Sequence, residues 1–178
     1  VSFRGPLLRA LIDVGHEVYA FAIDYDEVTE ARVLAFGAKP VRYRMDRTGT
    51  HPLRDLRTTW ELMWLFRKHH IELVFSYFIK PVVYGSIAAV IAVVPRRYAL
   101  LPGLGYAFTD SGLEQTPRQR LLASLLTRML RIALAWNERL FLYNLDDVAE
   151  VERLGLVDPE KVECVNGTGI DLTVYLPA

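Results

Sequence analysis

Short apolar runs that are rich in β-branched and aromatic residues alternate along the chain with longer segments of helical periodicity. The apolar runs, which predict strands, lie near residues 17–23, 40–44, 72–77, 97–101, 139–143 and 162–165. The segments with helical periodicity lie near residues 6–14, 27–36, 53–69, 82–93, 117–135 and 145–154. Because strict alternation of strand and helix is typical of parallel strands joined by right-handed crossovers, the sequence predicts an α/β fold with a doubly wound, Rossmann-like parallel sheet.

The two ends of the chain add to this prediction. The sequence begins at Val1 with a helical pattern rather than a strand, so we expect the first strand of the sheet to be missing. At the other end, the turn-rich residues 166–169 follow a short apolar strand, which is typical of a chain reversal. We therefore predict one domain over residues 1–165 and, over residues 166–178, a linker to a second domain that is absent.

Composition excludes several classes of protein and of site. The 178 residues are 52% hydrophobic and 24% charged, with a net charge of zero, which indicates a globular domain and gives no argument for nucleic-acid binding. The single cysteine, Cys164, excludes an intramolecular disulfide and a multi-cysteine zinc site, and we expect its side chain to be buried. The four histidines show no metal-ligand spacing. The longest apolar run, residues 82–94, is too short to span a bilayer, so a cytoplasmic protein is expected.

The segments that follow the predicted strands carry the candidate chemistry, because ligands of such sheets bind beyond the carboxyl ends of the strands. Lys80 follows the third strand, where its ammonium can meet a phosphate or a carboxylate; a solvated lysine at the start of a helix is the alternative. Ser76 and Tyr77 bring hydroxyls to the same edge. The Ser76 hydroxyl either binds a ligand or is a hydrogen-bonded core group, since the glycines of a hydrolase elbow are absent around it.

A pair of glycines, Gly103 and Gly105, follows the fourth predicted strand. Glycines at this place would let backbone amides approach a ligand closely. Phe108, however, occupies the third glycine position of the dinucleotide-binding fingerprint. The sequence therefore argues against a dinucleotide-dependent dehydrogenase.

Two helical segments have a pattern that fits either a membrane surface or packing on the sheet. In residues 117–136, a narrow basic stripe borders a broad apolar face, as in helices that lie on anionic membranes. The arginines of this stripe for which we predict membrane contact are Arg120, Arg128 and Arg131. In residues 53–69, Trp60 and Trp64 lie one turn apart beside basic residues. For both segments, the alternative is a helix that packs its apolar residues on the sheet and leaves its charges at the surface.

Short segments spread over the whole chain resemble the amino-terminal half of bacterial glycosyltransferases of the GT-B fold. These segments are residues 3–7, 15–18, 52–56, 76–81, 103–108 and 166–171. The group they resemble is the large retaining family, the fourth in the usual classification, and within it the branch that builds capsule, O-antigen or lipid-linked oligosaccharides. The segments around Lys80 and Gly105 are the more specific ones.

The resemblance implies a Rossmann-like domain that binds the acceptor and faces a second domain that binds the nucleotide sugar. The residues that it places at the substrates are Arg4, Gly5, Ser76, Tyr77, Lys80, Gly103, Gly105 and Tyr106, with the first two near the sugar or its phosphates. The residues that it implies for the interdomain hinge are Asn166, Gly167, Thr168 and Gly169. Many family members have a histidine in the loop after the third strand. This chain has none in residues 78–80, so no catalytic residue is assigned.

The activity implied by the resemblance is that of the full-length enzyme. It would transfer a sugar from a nucleotide-diphosphate sugar to a polyprenyl-linked or polysaccharide acceptor, with retention of anomeric configuration, at the inner face of the plasma membrane. No metal or other cofactor is expected, because fixed cations and helix dipoles stabilise the leaving diphosphate. The isolated chain is expected to be inactive. Two alternatives stay open, namely a non-catalytic membrane-surface module that binds the acceptor for a catalytic partner and half of a sugar-nucleotide epimerase.

Overall fold

The computed structural model describes residues 4–46, 51–104 and 117–167, and in the last range it describes side chains from residue 124 onward. The chain divides into two compact units, and the boundary between them along the sequence lies between Met45 and Asp46. The first unit contains the described residues 4–45, and the second contains the described residues from 46 to 167. Each unit is described by itself.

The first unit is a two-stranded parallel sheet with two helices. Its elements are α1 (Gly5–Asp13), β1 (Tyr19–Ala22), α2 (Glu27–Ala35) and β2 (Lys39–Arg42). Tyr19 pairs with Lys39 and Ala22 with Arg42. Helix α2 begins where the Asp26 carboxylate accepts a hydrogen bond from the backbone N–H of Thr29, which satisfies one of the orphan donors of the first turn.

The second unit is a four-stranded parallel sheet with four α-helices. Its elements are α3 (Pro52–Lys68), β3 (Leu73–Tyr77), α4 (Ile79–Ile91), β4 (Arg96–Leu101), α5 (Pro117–Ala135), β5 (Arg139–Leu142), α6 (Leu145–Arg153), a short 3-10 helix (Pro159–Lys161) and β6 (Val162–Cys164). The strands lie in the order β3-β4-β5-β6. Because every strand runs in the same direction, their carboxyl ends share one edge of the sheet.

One face of this sheet forms the core of the second unit. Alternate strand residues on this face are buried, including Ala99, Leu101, Leu140 and Leu142, all with 0% exposure. Helix α4 packs against β3, β4, α3 and α5, and its Ser86 accepts a buried hydrogen bond of 2.8 Å from the side-chain amide of Asn137. The other face carries half-exposed aromatic side chains, namely Phe75, Tyr77, Tyr98, Phe141 and Tyr143.

The predicted α/β class and the alternation of six strands with six helices are confirmed, with parallel pairing throughout. The described strands form two sheets rather than one. Helix α4 begins at Ile79, three residues before the predicted start at residue 82. The expectation of a buried cysteine is wrong, because Cys164 lies exposed on the edge strand β6. None of the helices in the described part of the chain is long and apolar enough to cross a membrane.

Candidate functional site

The junction between β3 and α4 carries an unusual backbone conformation. Phe78 joins the two elements with φ 71° and ψ 160°, a region that is populated almost only by glycine. Its backbone N–H donates a 3.2 Å hydrogen bond to the carbonyl of Leu100, which ties the junction to the neighbouring strand β4. Such strain persists only where the surrounding structure holds it, and it is frequent at functional sites. The junction is therefore the first candidate for the site.

Lys80, two residues further on, lies in the first turn of α4 and reaches back toward α3. Its Nζ donates a 2.8 Å hydrogen bond to the backbone carbonyl of Asp46. The same nitrogen lies 3.6 Å from Oδ1 of Asp55, and the side chains of Lys80 and Asp55 are only 18% and 7% exposed. Oδ1 of Asp55 is itself buried and accepts no hydrogen bond from the described residues. Lys80 thus lies in a largely buried ion pair.

Tyr84 completes this group one turn along the same helix. Burial is the main cause that raises the pKa of Tyr84 well above its ordinary value, followed by a hydrogen bond to Asp55 and by the negative charge of Asp55. Residues four apart share one face of a helix, so Lys80 and Tyr84 approach the same carboxylate. We call Asp46, Asp55, Lys80 and Tyr84 the lysine cluster.

The charge balance of the lysine cluster limits what it can do. The ammonium of Lys80 faces the carboxylate of Asp55, so the pair has no net charge with which to attract a distant anion. An ammonium has three donor hydrogens, and one of them is donated to the backbone carbonyl of Asp46. Because the Lys80 side chain retains some exposure, a further hydrogen can be donated to an oxygen of a ligand. The lysine cluster can therefore donate a directed hydrogen bond to a ligand, but its positive charge is already balanced by the negative charge of Asp55.

Ser76 and Tyr77 face opposite sides of the sheet. Ser76 is buried against α4, where a Cβ added to Gly85 would lie 2.8 Å from its Oγ. Tyr77 lies on the aromatic face, where its hydroxyl shares a short hydrogen bond with the hydroxyl of Tyr143. Its ring makes edge contacts with Phe75 and Phe78, at centroid distances of 5.9 and 5.4 Å. The two predicted hydroxyl ligands therefore belong to different surfaces, and the position of Ser76 favours a core role.

Gly103 lies at the same edge of the sheet as the lysine cluster. It follows β4, and Lys80 follows the adjacent parallel strand β3. A Cβ added to Gly103 would meet no described heavy atom within 4 Å, so packing does not require a glycine there. The other two residues predicted for this loop, Gly105 and Tyr106, lie outside the described residues.

The two predicted site residues of the first unit lie at the start of α1. Arg4 precedes the helix, and its carbonyl accepts a 3.0 Å hydrogen bond from the backbone N–H of Leu8. Gly5 is buried, and a Cβ at this position would lie 2.6 Å from Cζ of Phe36. Contact with the Phe36 ring within the first unit is therefore sufficient to explain the glycine.

The predicted membrane and hinge residues are only partly described. Arg131 donates from Nε to the carbonyl of Gly155 and from Nη2 to that of Leu154, at 2.8 and 2.7 Å, and so satisfies carbonyls at the end of α6. Arg128 is exposed, whereas the side chain of Arg120 lies outside the described residues. In the predicted hinge, Asn166 is exposed and Gly167 has a φ of 75°. Thr168 and Gly169 are outside the described part.

Sequence reasoning missed Asp55, although a signal for it was present. The buried positions of α3 are Asp55, Thr58, Thr59, Leu62, Met63, Leu65 and Phe66. A carboxylate that lies on the apolar stripe of an amphipathic helix needs a partner, because a lone buried charge is costly. Nothing in the local pattern identifies Lys80 as that partner, since the two residues come together only through the packing of α3 on α4.

The described residues contain no group of three His, Cys, Asp or Glu side chains that could hold a metal ion.

Comparison with known proteins finds similarity to glycosyltransferases among curated proteins and among solved structures. No protein-family model matches the chain. The chain is 25% identical over 175 residues to N,N'-diacetylbacillosaminyl-diphospho-undecaprenol alpha-1,3-N-acetylgalactosaminyltransferase of Campylobacter jejuni subsp. jejuni serotype O:2, a match that covers 98% of the chain and 45% of the relative. A crystal structure described as the glycotransferase of kitacinnamycin aligns with a TM-score of 0.48 and 15% identity, over 92% of this chain and 47% of that one. The chain thus spans less than half the length of the curated relative, and its similarity to that relative supports a relationship to glycosyltransferases.

Proposed function

We propose that this chain is the acceptor-side part of a retaining glycosyltransferase. The intact enzyme transfers a sugar from a nucleotide-diphosphate sugar to a lipid-linked or polysaccharide acceptor. The observation that carries the proposal is the similarity over 98% of the chain to a transferase whose name specifies a diphospho-undecaprenol acceptor. The donor sugar binds to the part of the enzyme for which this chain, with its 45% coverage of the relative, has no counterpart.

The lysine cluster gives this proposal its chemistry. One ammonium hydrogen of Lys80 is donated to the carbonyl of Asp46, and a further one is donated to an oxygen of the acceptor, either a sugar hydroxyl or a diphosphate oxygen. Asp55 fixes the direction of that hydrogen bond, because it holds the ammonium from the buried side. The neutral Tyr84 keeps the carboxylate in place. Precise orientation of the acceptor is itself a large part of catalysis in group transfer.

No metal takes part in the proposed reaction. The leaving diphosphate is stabilised instead by fixed cations and by the amino-terminal ends of helices, as the resemblance to metal-independent transferases implies. The protein works at the cytoplasmic face of the membrane, where a polyprenyl-linked acceptor presents its head group.

Equilibrium binding tests the acceptor role on the chain itself. We expect a short-chain polyprenyl-diphosphate sugar to bind and a nucleotide sugar to bind at least tenfold more weakly. Lys80→Ala should weaken acceptor binding by about tenfold, which corresponds to the loss of one charge-assisted hydrogen bond. Lys161→Ala is the matched control, because that lysine is also half-buried and its ammonium likewise donates to a backbone carbonyl, that of Ala135, at 3.0 Å. Preferential binding of the nucleotide sugar would overturn the assignment to the acceptor side.

The two alternative functions give different results in the same assays. A non-catalytic module, which is favoured by the exposed tryptophans of α3, binds the acceptor, but the protein encoded by the complete gene releases no nucleoside diphosphate. Half of an epimerase binds the nucleotide sugar and not the lipid-linked acceptor. Release of nucleoside diphosphate by the complete enzyme, with none from this chain alone, supports the transferase.

A further inference from the structure

Helix α3 carries a row of large apolar side chains on its exposed face. Leu53, Leu56, Trp60 and Trp64 are 83%, 66%, 68% and 53% exposed. Their spacing of three, four and four residues places them along one side of the helix, opposite the buried residues around Leu62. The row is about 17 Å long at the α-helical rise. We call these four residues the α3 stripe.

Positive charge accompanies the α3 stripe. Arg57, Arg67 and Lys68 are exposed on the same helix, and Lys68 Nζ lies 5.0 Å from the centre of the Trp64 ring. The only acidic residues of α3 are Asp55, which is buried, and Glu61. The exposed face therefore combines indole rings, leucines and an excess of cations, although the whole chain has a net charge of zero.

We propose that the α3 stripe inserts into the interfacial region of an anionic lipid bilayer, with α3 lying parallel to the membrane plane. Tryptophan favours the boundary between head groups and acyl chains, and leucine adds apolar area that water would otherwise solvate. Arginine and lysine beside the stripe meet the lipid phosphates, because an anionic surface attracts basic side chains close to it. The charge on the helix is thus complementary to that of the bilayer.

A bilayer fits the α3 stripe better than a second protein chain does. Four side chains in a single row expose on the order of 500 Å², compared with about 800 Å² that each partner buries in a stable protein interface. A bilayer requires no matching surface, so a single row of side chains is sufficient. This inference concerns where the protein lies and holds whether or not the proposed sugar transfer is correct.

The three tryptophans of the chain make the proposal directly measurable, because only Trp136 lies outside α3. In Trp136→Phe, the remaining fluorescence reports on the α3 stripe. In Trp60→Phe/Trp64→Phe, it reports on Trp136, which follows α5 at helical spacing from its exposed residues Leu125, Arg128 and Ile132. Vesicles of phosphatidylglycerol and phosphatidylethanolamine that carry brominated acyl chains should quench the first variant strongly and the second only weakly.

Co-sedimentation with the same vesicles measures the energetic role of the stripe. We expect Trp60→Ser/Trp64→Ser to lower the partition coefficient at least tenfold and Arg57→Glu/Lys68→Glu to do the same at low salt. Neutral phosphatidylcholine vesicles should bind the wild-type chain at least tenfold more weakly. Leu125→Ser/Ile132→Ser is the matched control on α5 and should leave partitioning unchanged. Unchanged urea midpoints verify that the variants fold.

Three results would overturn the proposal. The wild-type chain could fail to sediment with the anionic vesicles. Trp136 could be quenched in place of Trp60 and Trp64, which would assign the membrane face to α5. Sedimentation velocity could show a dimer that the tryptophan-to-serine variant abolishes, which would assign the stripe to a second copy of the chain.

Discussion

The ammonium of Lys80 lies 3.6 Å from Oδ1 of Asp55, and neither side chain is more than 18% exposed. This relationship joins the first turn of α4 to the first turn of α3 at the carboxyl edge of the sheet. It also decides between two interpretations of Lys80, because a solvated lysine would not be held between a buried carboxylate and a backbone carbonyl.

A double-mutant cycle tests whether Lys80 and Asp55 act as a pair. We expect Lys80→Met to lower the free energy of unfolding by about 3 kcal/mol, because it leaves the Asp55 charge buried without a cation. Asp55→Asn should cost less, about 1–2 kcal/mol, since Lys80 keeps its bond to Asp46 and some contact with water. Combined, the two changes should cost at least 1 kcal/mol less than their sum.

Urea unfolding gives these values, and the exposed pair of Glu150 and Arg153 provides the control. Glu150→Gln should change stability by less than about 0.5 kcal/mol, as is usual for surface pairs. Additive effects of the Lys80 and Asp55 substitutions would show that the two side chains are not coupled.

Gly85 and Ser76 form a second testable contact, between α4 and β3. We expect Gly85→Ala to destabilise the protein by about 1–2 kcal/mol, because its Cβ would lie 2.8 Å from Ser76 Oγ. Adding Ser76→Ala should restore most of the loss, since the next nearest atom, Ser76 Cβ, lies 3.8 Å away. Gly103→Ala, in open space, should be neutral. Thermal unfolding of these three variants and the wild-type chain decides, and failure of Ser76→Ala to rescue would place the strain elsewhere.

The sequence was sufficient to predict the secondary structure because the signals for it are local. Hydrophobic periodicity marked each helix and strand to within a few residues of its observed bounds. The main error in position, at the start of α4, has a local cause. Phe78 adopts a positive φ that its residue type does not announce, and Pro81 is accommodated within the first turn of the helix, where its missing N–H costs nothing.

Features that depend on tertiary neighbours were not predictable in this way. Cys164 is apolar and lies in a strand, which favours burial, but β6 is the last strand of its sheet and leaves the residue exposed. Trp60 and Trp64 were equally compatible with the core and with a membrane. Only the packing of the opposite side of α3 shows that they are exposed. Asp55 needed a partner that only the packing of α3 on α4 supplies.

Alkaline pH should destabilise the protein through its buried tyrosines. Burial raises the pKa of Tyr43 to about 12, whereas the same group in the unfolded chain ionises near its ordinary value of about 10. Below pH 10 the hydroxyl is neutral in both states and its contribution to stability is constant. Between about pH 10 and 12 the unfolded state loses the proton first, so the free energy of unfolding falls as pH rises.

Tyr43→Phe measures the share of this one residue. The free energies of unfolding of the wild-type chain and the variant, obtained from urea denaturation, should differ by a constant below pH 9. Above pH 10 the wild-type value should fall relative to that of the variant, by an amount on the order of 2 kcal/mol at the alkaline end. Parallel curves up to pH 11.5 would mean that Tyr43 ionises at the same pH in the folded and unfolded chains.

Because of the strain at Phe78, we expect a glycine variant at this position to be more stable than an alanine variant, the reverse of the order in a helix. In a helix, glycine is about 1 kcal/mol less favourable than alanine, and Ala149→Gly in the exposed face of α6 should show that cost. At position 78, with φ 71° and ψ 160°, glycine adopts the required backbone without strain and alanine does not. Both Phe78→Gly and Phe78→Ala lose the ring contact with Tyr77, so the difference in stability between them measures the cost of the backbone conformation alone.

We expect Phe78→Gly to be about 1 kcal/mol more stable than Phe78→Ala in urea unfolding. Equal stability, or alanine as the better residue, would show that the junction relaxes to an ordinary conformation once the ring is removed.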